Sequence, residues 1–232
     1  MRRLAPTTLI GASAALMALV AACSSGTDSG PAGASGSTTT EAAGPAVGLD
    51  EIQVLAAHNA YHQRAEPALL QAITDNLPSL TPTIDYEHPT LTEQLDLGVR
   101  SMELDVFEDA DGGRYANPKA VPLLGLQPAD PAMSTPGFKV FHIQEVDYRS
   151  SCPTFVACLT ELEEWSSAHD DHAPIVVHLE VKDGAIDDPL GLGFVQPTPA
   201  TAATFTALEA EIRSVLDDDR IVTVADVQGD HD

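Results

Sequence analysis

Residues 95–105 read Leu95-Asp96-Leu97-Gly98-Val99-Arg100-Ser101-Met102-Glu103-Leu104-Asp105, and this stretch carries the chain out of a helix and into a strand. Just upstream, Thr90-Leu91-Thr92-Glu93 is a capping-box pattern that opens a short helix, and Gly98 closes it. The apolar run Arg100–Phe107 then predicts a strand. Side chains alternate between the two faces of a strand, so the Glu103-x-Asp105 spacing puts both carboxylates on the same side.

Further strands are expected at Ile52–Ala57, Phe138–Ile143, Pro174–Val181 and Arg220–Val224. Between them a helix is expected from about Pro153 to His169, carrying Trp165. A second runs from about Thr201 to Leu216, with Phe205, Leu208, Ile212 and Val215 on one face. Strands alternating with helices predict a parallel sheet, either doubly wound or closed into a barrel. No Gly-x-Gly-x-x-Gly follows the first strand, which disfavours a dinucleotide-binding domain.

Polar residues gather where the strands end: His58 and Asn59 after the first, Glu103 and Asp105 in the second, His142 in the third, Glu180 and Lys182 in the fourth. Barrel active sites are assembled from strand ends in this way. The expected fold class is therefore α/β, a TIM-barrel-like (β/α) arrangement. A full barrel takes roughly 250 residues and eight strands. The five strands expected within residues 49–232 predict an incomplete one, its N-terminal portion.

These motifs occur in order along the chain: Ala57-His58-Asn59-Ala60-Tyr61, then residues 95–105, then Lys139-Val140-Phe141-His142, then His178-Leu179-Glu180-Val181-Lys182-Asp183. Together with residues 86–95, 147–153 and Trp165-Ser166 they resemble the calcium-dependent phosphatidylinositol-specific phospholipase C family. The resemblance implies catalytic histidines at His58 and His142, and Ca2+ ligands at Asn59, Glu103, Asp105 and Glu180. Lys182 is also expected to touch phosphate, and Arg100 either to contact substrate or to form a structural ion pair. One amide and three carboxylates are hard oxygen donors, which suit calcium better than zinc. The implied reaction splits a phosphatidylinositol-type lipid into diacylglycerol and an inositol cyclic phosphate, with His142 as acid and His58 as base or phosphorane stabiliser.

Other patterns in the chain point to different chemistry and fit it less well. His58 and His62 are four residues apart, but a zincin requires Glu after the first histidine, where Asn59 stands. Asp109-Ala110-Asp111-Gly112-Gly113 begins like a calcium loop, yet its twelfth position is Ala120, so a turn is expected. A glycerophosphodiester phosphodiesterase shares the barrel and a metal site but opens with His-Arg-Gly. That enzyme and a non-catalytic surface lipoprotein are the competing readings.

At the amino terminus, Arg2 and Arg3 precede an apolar stretch, Leu9–Ala22, too short for a convincing membrane span. Val20-Ala21-Ala22-Cys23 matches the lipobox of bacterial lipoproteins. Residues 1–23 are thus expected to be a signal peptide, with Cys23 lipidated. Residues 24–48 are rich in Gly, Ser, Thr, Ala and Pro and read as a disordered tether. A tether of about 25 residues spans roughly 25–30 Å. The expected location is the extracellular face of a bacterial membrane, or secretion.

The chain carries 11 basic and 35 acidic residues, a net charge of −24, and loss of Arg2 and Arg3 takes it to −26. Such acidity disfavours a nucleic-acid partner and means that an anionic phosphodiester substrate needs a bound cation beside it. Cys152 and Cys158 remain as a pair in an oxidising compartment, where a disulfide is expected. Two cysteines six apart within one helix are too distant to bridge, so Cys152 should precede the helix.

Overall fold

Thr90 turns the chain from loop to helix, as its sequence pattern requires: its hydroxyl accepts from the Glu93 amide, and Glu93 Oε2 accepts from the Thr90 amide at 2.9 Å. The computed structural model describes residues 48–189 and 191–228. The expected signal peptide, its Cys23 lipidation and the expected tether up to Val47 lie outside the described residues.

Seven helices and four strands follow one another among the described residues. β1 is Leu55–Ala57, followed by α1 (Pro67–Asn76), α2 (Thr81–Ile84) and α3 (Leu91–Asp96). β2 is Val99–Phe107, then come α4 (Ala120–Leu124) and β3 (Lys139–Val140). The remainder is α5 (Phe155–Ser167), β4 (Val176–Val181), α6 (Ala202–Val215) and α7 (Val224–Gln228). Gly98, at φ +94°, makes the turn between α3 and β2 that a residue with a Cβ resists.

β2 is the central strand. β1 and β4 both pair with it in parallel, Ala57 opposite Met102 and Glu180 opposite Asp105. The sheet is open among the described residues. Alternation along β2 sorts its side chains. Met102, Leu104 and Val106 point into a core with Leu91 and Leu95 of α3, Phe155, Leu159, Leu162 and Trp165 of α5, and Leu208 of α6. Val177, Leu179 and Val181 of β4 face the same core. Each large apolar side chain fully buried there contributes about 1.5–3 kcal/mol. With helices on that face, the alternate residues Glu103, Asp105, His178 and Glu180 share the opposite one.

Several expectations are corrected. The third strand was expected over Phe138–Ile143 and within a parallel sheet, but β3 is two residues long and antiparallel to the end of β2, with Val140 opposite Val106. Around it the chain is claimed by the start of α5, through Val140 N to Pro153 O and Phe155 N to Phe138 O. No strand forms over Arg220–Val224. The Thr223 hydroxyl accepts from the Asp226 amide while the Asp226 carboxylate accepts from the Thr223 amide, a reciprocal cap that starts α7. Phe205, placed on the apolar face of α6, is 55% exposed. Thr204 is turned inward instead, its hydroxyl donating to Glu108 Oε2. The sheet is thus mixed, with a parallel arc of three strands.

The helix α5 starts at Phe155 with Thr154 as its cap, and Cys152 lies before it, bonded to Cys158 with Cα atoms 5.1 Å apart. The expected disulfide is present, in the expected relation to the helix.

Candidate active site

Strand register assembles an acidic cluster. Glu103 and Asp105 are two apart on β2, and Glu180 is the partner of Asp105 on β4, so all three carboxylates project from one face. They offer oxygens within 4.8 Å of one another. Lys182, two residues on from Glu180, reaches back with Nζ 2.8 Å from Glu180 Oε1 and 3.1 Å from Asp105 Oδ2.

One ammonium does not balance three carboxylates. Asp105 is buried, and beyond the Lys182 ammonium beside Oδ2 neither of its oxygens has a hydrogen-bond partner. Burial pushes the Asp105 carboxyl above its ordinary pKa, against the pull of Lys182. Glu180 is held below the usual carboxylate range, chiefly by its hydrogen bond from Lys182, with a smaller contribution from the charge of His142. Burial works against the Lys182 ammonium, but Glu180 and Asp105 outweigh it and raise the lysine's pKa. A buried carboxylate with idle lone pairs beside two others is a fit for a hard divalent cation.

The turn after β1 brings the next residues to the cluster. Asn59 adopts the left-handed conformation at φ +48°, which asparagine tolerates better than most residues. Its amide donates to Glu103 Oε2 at 3.1 Å, and its buried side chain is oriented at both ends. Tyr61 OH donates to Oδ1 at 3.0 Å, and Nδ2 donates to Tyr86 OH at 3.1 Å. Burial, and next the Asp105 charge, push the Tyr61 phenol far up, so it remains a donor. His58 Nε2 is 3.3 Å from Glu103 Oε2 and its side chain is 76% exposed, open to an incoming molecule. The His58 carbonyl is 3.0 Å from His88 Nε2.

His142 sits two residues past β3, in a different hydrogen-bonded group. Its Nδ1 lies 2.8 Å from Asp147 Oδ2, and the same buried carboxylate lies 2.9 and 3.0 Å from His62 Nε2. His62 is fully buried and stacks on Tyr86, ring centroids 4.2 Å apart. Tyr86 therefore touches both Asn59 and His62 and ties the two groups into one network.

Arg100 is placed elsewhere. It lies at the opening of β2, where its guanidinium donates to the Leu95 and Val99 carbonyls at 2.8 and 2.7 Å and covers the Trp165 ring at 4.6 Å. These contacts fasten α3 and α5 to the strand and leave it no part in the acidic cluster. The Asp109 segment is a turn, as expected, with Asp109 Oδ2 accepting from the Arg114 amide.

Sequence reasoning missed Asp147, His62 and Tyr86. His62 enters the sequence reading only as a zincin partner of His58, although its complete burial against Asp147 and Tyr86 gives it a different role. The signal available for Asp147 was its place five residues after His142 in a short Ile143–Tyr148 loop.

A family model described as phosphoinositide phospholipase C, Ca2+-dependent, matches residues 47–232. No curated protein matches the chain. Among solved structures it is similar to a calcium-dependent phosphoinositol-specific phospholipase C from a Gram-negative bacterium, Pseudomonas sp. One crystal form of that protein gives 21% identity over 60% of this chain and 38% of the other, with a TM-score of 0.36. A myoinositol complex gives 21% identity over 60% and 39%, with a TM-score of 0.36. A further crystal form gives 22% identity over 60% and 40%, with a TM-score of 0.35. The chain thus spans about two fifths of the length of the structures it matches. On the match across residues 47–232, the chain belongs to the calcium-dependent phosphoinositide phospholipase C family.

Proposed function

We propose that this chain carries a calcium-dependent phosphodiesterase site that cleaves phosphatidylinositol-type lipids, on an arc of a (β/α)8 barrel. The observation that carries the reading is the set of three carboxylates within 4.8 Å, one of them buried with a single lysine ammonium as its only partner. Glu103, Asp105 and Glu180, joined by the Asn59 side chain, would hold the ion. Bound there, calcium supplies positive charge that lowers the pKa of an attacking hydroxyl and neutralises phosphate oxygens.

The remaining chemistry belongs to the chain's own groups. A 2-hydroxyl of the inositol ring attacks phosphorus, and its proton passes to a base, for which exposed His58 beside Glu103 is the candidate. The bond from phosphorus to the glycerol oxygen breaks, and His142 donates a proton to that oxygen, releasing diacylglycerol. The product retained on inositol is then a cyclic phosphate. Lys182, whose ammonium lies beside Glu180 and Asp105, would present a second positive charge toward phosphate.

The same reading places the domain at a membrane. Lipidation of Cys23 and the tether of residues 24–48 would hold it on the extracellular face, within reach of lipid headgroups, or the domain would be secreted. The test compares substrates with the full chain: phosphatidylinositol vesicles against glycerophosphoinositol, each with calcium. Diacylglycerol release from the vesicles supports the proposal. Cleavage of the deacylated compound alone indicates a glycerophosphodiester phosphodiesterase, and calcium binding without turnover on either indicates a non-catalytic surface lipoprotein.

A further inference from the structure

The Asp147 carboxylate is fully buried and carries two histidines, His62 Nε2 straddling both oxygens and His142 Nδ1 on Oδ2. An ionised carboxylate accepts hydrogen bonds and donates none, so each ring must present an N–H to it: His62 through Nε2, His142 through Nδ1. The buried Nδ1 of His62 has no partner, as suits a ring whose hydrogen is on Nε2. For His142 the consequence reaches the chemistry. With hydrogen on Nδ1, its other nitrogen, Nε2, is the atom left to exchange a proton, on a ring that is partly open to solvent.

We propose that Asp147, backed by His62, is a positioning residue that fixes the His142 ring and tautomer, with Nδ1–H on the carboxylate and Nε2 free for proton transfer. The proposal rests on the reading of His142 as the group that protonates the leaving oxygen.

The backbone around Asp147 is built to hold it. Ile143 and Asp147 exchange both backbone hydrogen bonds, at 3.0 and 2.8 Å, closing a tight loop that begins next to His142. Glu145 at its tip has φ +72°, an unfavourable conformation for a residue with a side chain. It is pinned there because its carboxylate accepts from the Lys119 amide at 2.6 Å and the Val195 amide at 3.0 Å. His62 is held from behind by the stacked Tyr86 ring, whose hydroxyl accepts from Asn59. Burial opposes ionisation of Asp147, yet the hydrogen bonds from His142 and His62 leave its pKa below the ordinary carboxylate value. The buried carboxylate is therefore charged, and both rings contribute to keeping it so.

The test has one arm that needs turnover and one that does not. In long-range 15N–1H NMR of the full chain, followed upward in pH until the His142 ring carries a single hydrogen, that hydrogen is expected on Nδ1, with Nε2 bare. A single hydrogen on Nε2, with Nδ1 bare, would overturn the proposal. In the kinetic arm, Asp147→Asn is expected to lower kcat on phosphatidylinositol on the order of 100-fold with KM nearly unchanged. On an inositol phosphodiester with a 4-nitrophenolate leaving group, which departs without protonation, the loss should shrink to less than about tenfold. Equal losses on both substrates, or none on either, would contradict it. If the unsubstituted protein cleaves neither substrate, the functional reading fails, and the NMR result alone decides the positioning claim.

Discussion

Asp105 on β2 and Glu180 on β4 occupy the same rung of a parallel strand pair, so the sheet itself fixes the separation of their carboxylates. Backbone hydrogen bonds hold the two strands, and the acids cannot relax apart without breaking them. Lys182 answers this repulsion in part, reaching both at 3.1 and 2.8 Å.

Asp105→Asn removes a buried charge crowded by Glu103 and Glu180 and answered by Lys182 alone, while keeping the shape of the side chain. In the presence of chelator the variant is expected to be at least as stable as the parent, by about 1 kcal/mol. The rise in melting temperature produced by calcium should disappear with the substitution, since a ligand stabilises only the state that binds it. Thermal melts with calcium and with chelator measure both effects.

Lys182→Met withdraws the positive charge nearest the carboxylates. Calcium should then bind more tightly, on the order of tenfold, because the ion no longer shares the site with an ammonium. Turnover should fall, since the charge presented to phosphate is gone. Calorimetric titration and initial rates read the two changes, and tighter binding with slower turnover is the expected pair.

Asp147 makes stability depend on pH in a definite direction. Its folded pKa lies below the ordinary value, so its contribution is fully present above that value and is lost as pH falls through the depressed one. Asp147→Asn should cost about 3 kcal/mol near neutral pH, the penalty for breaking a buried charged network. The gap between variant and parent should narrow below about pH 4. Denaturant titrations of the two proteins across that range provide the comparison.

Much of the arc was legible because its signals are local. The Thr90 cap, Gly98 and the alternation along Val99–Phe107 dictate a helix, a turn and a two-faced strand within twenty residues. Given that strand and the following β4, Glu103, Asp105, Glu180 and Lys182 had to share a face. What was hidden depends on distant partners. β3 looked like a longer parallel strand from its apolar run, but its length and direction are set by pairing with the end of β2 and by the start of α5. His62 and Asp147 are 85 positions apart, and no periodicity connects them. Arg100 lay in a stretch of matching motif, yet nearby carbonyls and the Trp165 ring determine where it goes.

The most direct test of the central claim is diacylglycerol release from phosphatidylinositol vesicles by the full chain, with calcium and with chelator, alongside His142→Ala. The account predicts release that requires calcium and falls by more than about 100-fold in the variant. Release that persists in chelator, or that is unchanged by the substitution, would contradict it.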